Sequence, residues 1–110
     1  REQGILLVGS GSMTHNLHEL RREDGPTEPY VTSFCGWVHD TLMSGDLPAM
    51  MDYRNRAPHA ARAHPTDEHF LTIYFALGAA LWGQADSPRP QYITRDVQFR
   101  SISMDAFSLQ

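Results

Sequence analysis

Residues 5–20, "ILLVGSGSMTHNLHEL", decide how the rest of the chain is read. Four apolar residues, Ile5 to Val8, run without alternation into Gly9-Ser10-Gly11-Ser12, and a histidine, His15, follows three positions later. An unbroken apolar run suits a strand covered on both faces, as in a parallel sheet. Residues 4–9 are therefore expected to form a buried strand, with 10–15 as the loop at its carboxyl end. In an open α/β sheet that end is where ligands bind. The glycines let backbone approach backbone or ligand closely. The loop lacks the G-x-G-x-x-G spacing and the Gly-Lys-Ser/Thr ending of phosphate loops and carries no basic residue, which leaves His15 as its chemical group.

At 110 residues the chain makes one domain at most, since domains cluster at about 100–150 residues. A net charge of −4, with no lysine and nine dispersed arginines, argues against a nucleic-acid partner. The longest apolar run is far below the roughly 20 residues of a membrane span. A lone Cys35 cannot form an intrachain disulfide and fits a reducing, cytoplasmic compartment. The chain opens "REQGILL", without Met, and offers too few further strands to build a sheet around 4–9. The expected fold class is α/β: part of a helix-covered, mostly parallel or mixed sheet, incomplete without an amino-terminal half.

Along the chain, 16–22 are expected to form a short helix closed by "EDGP". Thr27 reads as the N-cap of a helix over 28–43, where Tyr30, Phe34, Trp37, Val38 and Leu42 recur at three- and four-residue spacing. Gly45 stops that helix, and Asp46 caps a second through Tyr53. "RNRAPHAARAHP" (54–65) reads as a loop. Thr66 is the expected cap of the next helix, with His69 at its third position, and "EHFLTIYFALGAALW" is apolar nearly all round, hence buried. Alternation over 93–99 and 102–106 predicts the last one or two strands.

Of six histidines, His18 and His39 lie among polar positions and read as surface residues, while His59 lies in the loop with no spacing that singles it out. His64 and His69 bracket "HPTDEH", which is neither H-E-x-x-H nor H-x-x-E-H. Cys35 shares a helical face with aromatics and reads as a buried, inert thiol.

Taken together, "ILLVGSGSMTHNL", "APHAARAHPTDEHFLTIYFALGAA" and "SISMDAFSL" resemble the carboxy-terminal part of class III extradiol ring-cleavage dioxygenases. The branch is the DOPA 4,5-dioxygenase-like group, related to the catalytic subunit of protocatechuate 4,5-dioxygenase. The resemblance implies that residues 1–110 are the carboxy-terminal part of one catalytic domain of a non-haem Fe(II) enzyme, with zinc as the alternative metal. It would bind a catechol and O2 and open the ring beside the diol. The resemblance also implies that His15 is the catalytic acid/base and His69 a metal ligand, with Glu68 as the alternative ligand. The family's other two metal-binding histidines lie in an amino-terminal half that these residues do not contain. The chain alone is therefore expected to be inactive and to need that half or a partner chain, as a homo- or hetero-oligomer. Two other readings are a fragment of a zinc-dependent hydrolase and a non-catalytic binding module.

Overall fold

The computed structural model describes residues 3–110. A single 3-10 turn (Leu17–Glu19) is followed by five helices, α1 (Pro29–Ser44), α2 (Leu47–Met51), α3 (Tyr53–Arg56), α4 (Ala60–Ala63) and α5 (Thr72–Ala79). Four short strands close the order: β1 (Gln91–Thr94), β2 (Val97–Gln98), β3 (Ile102–Ser103) and β4 (Ala106–Ser108). They pair as two antiparallel two-stranded sheets, β1 with β4 and β2 with β3. The class is α/β, and the strands sit beyond the helices rather than among them. Among the described residues no helix is long and apolar enough to cross a membrane.

The 16-residue helix α1 is the axis of the core. Its expected spacing holds: Tyr30, Phe34, Val38 and Leu42 are all buried. Glu28, not Thr27, is the flanking residue at its start, because Pro29 occupies the first helical position, where a missing N–H costs nothing. Gly45 ends it at φ 74, the left-handed conformation that glycine adopts without penalty. Asp46 caps α2 by accepting from the Ala49 N–H at 2.9 Å. The expected second helix through Tyr53 is broken at Asp52 into α2 and α3, and the expected loop at 54–65 contains the end of α3 and all of α4. The helix foreseen over 16–22 shrinks to its 3-10 turn, where Asn16 accepts from the His18 N–H. An isolated helix that short has no tertiary face to stabilise it.

Two expectations of burial fail together. Residues 4–10 carry no regular secondary structure and are exposed, Leu6 at 86% and Val8 at 70%. Helix α5 buries Leu77 but leaves Phe75 58% exposed, with Leu71 and Leu81 also open. An extended segment such as 4–10 needs a neighbouring strand to satisfy its N–H and C=O groups, and among the described residues none of the four strands pairs with it.

The core closes on Phe34, which has no exposed surface and contacts the rings of Tyr53, His64 and Phe70 at centroid distances of 6.5, 5.7 and 5.6 Å. Phe34→Ala removes the shared member of that cluster. It is expected to cost about 3–5 kcal/mol, read by equilibrium denaturation as a lower urea midpoint at unchanged slope.

Candidate functional site

The loop 9–15 packs against the turn that precedes α5, and glycine makes the approach possible. A Cβ on Gly11 would collide with the carbonyl oxygen of His69, and one on Gly9 would come within 2.6 Å of the Thr72 carbonyl oxygen. In the space thus left, the Ser12 N–H donates to the His69 carbonyl at 2.9 Å. That bond explains why α5 starts later than its local signals suggest. The His69 carbonyl is taken by the loop, and the Ile73 N–H turns instead to the Phe70 carbonyl at 3.1 Å. Thr66 donates its hydroxyl to the Glu68 carboxylate at 2.9 Å rather than capping a helix. His69 therefore sits in a turn, not at the third position of a helix.

His15 is held by its neighbours' backbone. Its own N–H donates to the Ala63 carbonyl at 2.8 Å, and the Asn16 side-chain amide donates to the Arg62 carbonyl at 2.8 Å. The result is that the rings of His15 and His69 lie face to face, with centroids 3.6 Å apart and planes 12° apart. Two residues 54 positions apart in sequence, each singled out there, thus form one contact. Both rings are half-buried, with 44% of the His69 side chain exposed.

The polar surroundings are specific. His69 Nδ1 is shielded from solvent yet makes no hydrogen bond, although Glu68 Oε1 lies 3.5 Å away. The backbone N–H of Glu68 and the Thr66 hydroxyl hold the Glu68 carboxyl below its ordinary range, with His69 and His15 adding to the effect. An imidazole nitrogen and a carboxylate oxygen turned toward each other without a bond are donors that a divalent transition metal accepts. Among the described residues, however, no group of three or more His, Cys, Asp or Glu converges to hold such an ion.

His64 is the residue that spacing did not single out. It is fully buried, and its Nε2 lies 2.7 Å from the Met13 carbonyl. A carbonyl only accepts, so Nε2 carries the proton and donates. This bond ties the turn before Pro65 to the loop two residues short of His15. Nothing in the string "AARAHP" marks it, since its hydrogen-bond partner Met13 and its ring neighbour Phe34 are 51 and 30 positions away. Of the remaining histidines, His18 and His59 are exposed, whereas His39, expected on the surface, is half-buried against Asp40 and Tyr92. Cys35 is buried and its thiol is pushed up to about 11 by burial, as expected for an inert group.

Comparison with known proteins places this geometry in context. The family described as "Catalytic LigB subunit of aromatic ring-opening dioxygenase" matches residues 1–102. Among curated proteins, the chain is similar to the 4,5-DOPA dioxygenase extradiol of Mirabilis jalapa, 31% identical over 94 residues, which cover 86% of this chain and 34% of that protein. The proteins of the same name from Beta vulgaris and Escherichia coli are 32% and 33% identical over 80 and 108 residues. These alignments cover 73% and 94% of this chain and 30% and 38% of the relatives. The chain thus spans about a third of the length of the curated relatives it matches.

Burial lowers the His64 pKa below its ordinary 6.5, against the raising effect of the Met13 bond, with His15, Arg54 and His69 adding smaller lowering effects. The folded state therefore binds fewer protons at His64 than the unfolded chain does. Its contribution is complete above pH 6.5 and is lost as the pH falls below that value toward the lowered one. Thermal midpoints are expected to fall between pH 7.5 and 5.5, by at most about 1.4 kcal/mol per pH unit for this one proton. In His64→Gln, whose amide can still donate to Met13, the dependence should be shallower.

Proposed function

Because the chain belongs to the family of catalytic LigB subunits of aromatic ring-opening dioxygenases, we propose that residues 1–110 are the carboxy-terminal part of a cytoplasmic catalytic domain that opens catechol-type rings beside the diol with O2. The observation that carries the reading is the stacked pair of His15 and His69, which joins the glycine loop to the "PTDEH" turn. The name borne by the relatives, 4,5-DOPA dioxygenase extradiol, supports a catechol as substrate. The lone, buried Cys35 is in keeping with the compartment.

His69 is the proposed metal ligand, with Glu68 as the alternative. The unbonded Nδ1 supports His69, and the Glu68 carboxylate 3.5 Å away keeps the alternative close at hand. The metal is Fe(II), with zinc as the alternative; when bound it supplies a Lewis acid and a template for the catecholate and O2. One imidazole and one carboxylate do not hold such an ion firmly, so the other ligands come from an amino-terminal half, on the same polypeptide or a partner chain. The exposed run from Ile5 to Val8 supports the same view, because a segment of that composition is stabilised by strands on either side.

His15 is the proposed acid/base. Its main chain is anchored at Ala63, the Met13 carbonyl two residues earlier accepts from His64, and its ring rests on His69, so the half-buried imidazole is held with little freedom. A half-buried imidazole so held can take a proton from a catechol hydroxyl and return it as the ring opens.

The two roles separate by mutation in the assembled, metal-loaded enzyme. His69→Ala is expected to lower metal per chain together with activity. His15→Ala is expected to retain metal and catechol binding but turn over about 10²–10⁴-fold more slowly. Metal analysis and single-turnover rates check both. Loss of metal in His15→Ala with full metal in His69→Ala would reverse the assignment.

A further inference from the structure

A carboxylate on the far side of the glycine loop has no part in the site as described. Asp105 has a side chain only 3% exposed. Its Oδ1 accepts the Ser103 hydroxyl at 2.7 Å, while its Oδ2 makes no hydrogen bond and has Arg95 Nε at 3.7 Å. Burying a carboxylate with one oxygen unsatisfied is costly, and such groups mark places where position matters more than stability.

The partner of that carboxylate is tied to the loop by both polar groups of its backbone. The Ser103 N–H donates to Thr14 Oγ1 at 2.7 Å, and the Ser103 carbonyl accepts from the Met13 N–H at 3.3 Å and the Ser12 hydroxyl at 3.4 Å. Thr14 Oγ1 in turn donates to the Ser101 carbonyl at 2.8 Å. Thr14, Ser101 and Ser103 have no exposed surface. The three residues immediately before His15 are thus fastened to β3, and the Ser103 hydroxyl is engaged by Asp105 behind it.

We propose that Ser103 and Asp105 are a positioning pair for His15, holding the loop from behind so that the imidazole stays stacked on His69. Asp105 touches neither ring, and its effect passes through the Ser103 hydroxyl to the β3 backbone and so to residues 12–14. The pair stiffens one side of the loop, while the Ala63 and His64 bonds hold the other. The proposal rests on the ring-opening reading for its turnover measurement alone.

The first test needs no activity. Stacked imidazoles 3.6 Å apart shift one another's carbon-bound protons, so in NMR spectra of the chain His15 and His69 should show displaced ring signals. Ser103→Ala and Asp105→Ala should move these signals toward those of free histidine. Ser103→Thr, which keeps a hydroxyl, and Asp105→Asn, which keeps an acceptor oxygen at Oδ1, should restore them. In the metal-loaded enzyme the two alanine variants should lower kcat about tenfold or more, with KM and metal content unchanged, and the conservative variants should recover it. The double alanine variant should lose no more than either single one, since both break one chain of bonds. Unshifted histidine signals in both alanine variants, or a loss of thermal stability with kcat per folded enzyme unchanged, would overturn the proposal. Shifted signals in an enzyme with no ring-opening activity would uphold the pair and count against the function.

Discussion

The hydrogen bond from the Ser12 N–H to the His69 carbonyl organises this molecule. It exists because Gly11 has no side chain, and it delays the start of α5 by withdrawing a carbonyl that helix formation would otherwise use. It also brings together the two imidazoles that carry the proposed chemistry. A net stabilisation of about 1 kcal/mol is typical of such a bond, so its importance is one of geometry rather than energy. The loop is then fixed on two sides, by His64 and Ala63 toward α4 and by Ser101 and Ser103 toward the strands.

Much of this was legible where local chemistry decides. The apolar spacing of α1, its end at Gly45 and the cap at Asp46 follow from rules that act within one turn of helix. His15 and His69 were also legible, through the strings they stand in, although nothing in those strings says that the rings stack. The start of α5 was misread because Thr66, Asp67 and Glu68 are sound local signals overruled by a bond to a residue 57 positions earlier. His64 and Asp105 escaped because burial, not spacing, gives them their character, and burial depends on the whole fold. The run from Ile5 to Val8 has the composition of a buried strand, but it is neither a strand nor buried. It lacks the flanking strands that would turn composition into structure.

Electrostatics and packing divide the labour around the site. Arg62 forms two-pronged contacts with Glu19 and lies over the Tyr30 ring at 4.1 Å, joining the residues after His15 to the start of α1. The Glu19 carboxyl is held below its usual range chiefly by that hydrogen bond, so the clamp is ionic at neutral pH. Arg100 does the same for the strands, donating to the Pro26 carbonyl at 2.9 Å and pairing with Glu28 at 3.0 Å. Each arginine links an irregular segment to α1, which is how a loop-rich half keeps a defined relation to the helical core.

The bonds behind His15 also govern the order in which the molecule can assemble. Thr14 finds its partners at Ser101 and Ser103, 87 and 89 positions away, and Ser12 reaches Ser103 across 91. Contacts so distant along the chain form late, because closing the intervening loop costs entropy before any contact repays it. During synthesis α1 can take shape while the glycine loop remains unfastened, and only the emergence of residues 101–105 completes its seat. Assembly thus runs against chain order at the site: residues 12–14 are made well before residues 101–105 yet are set in place only with them.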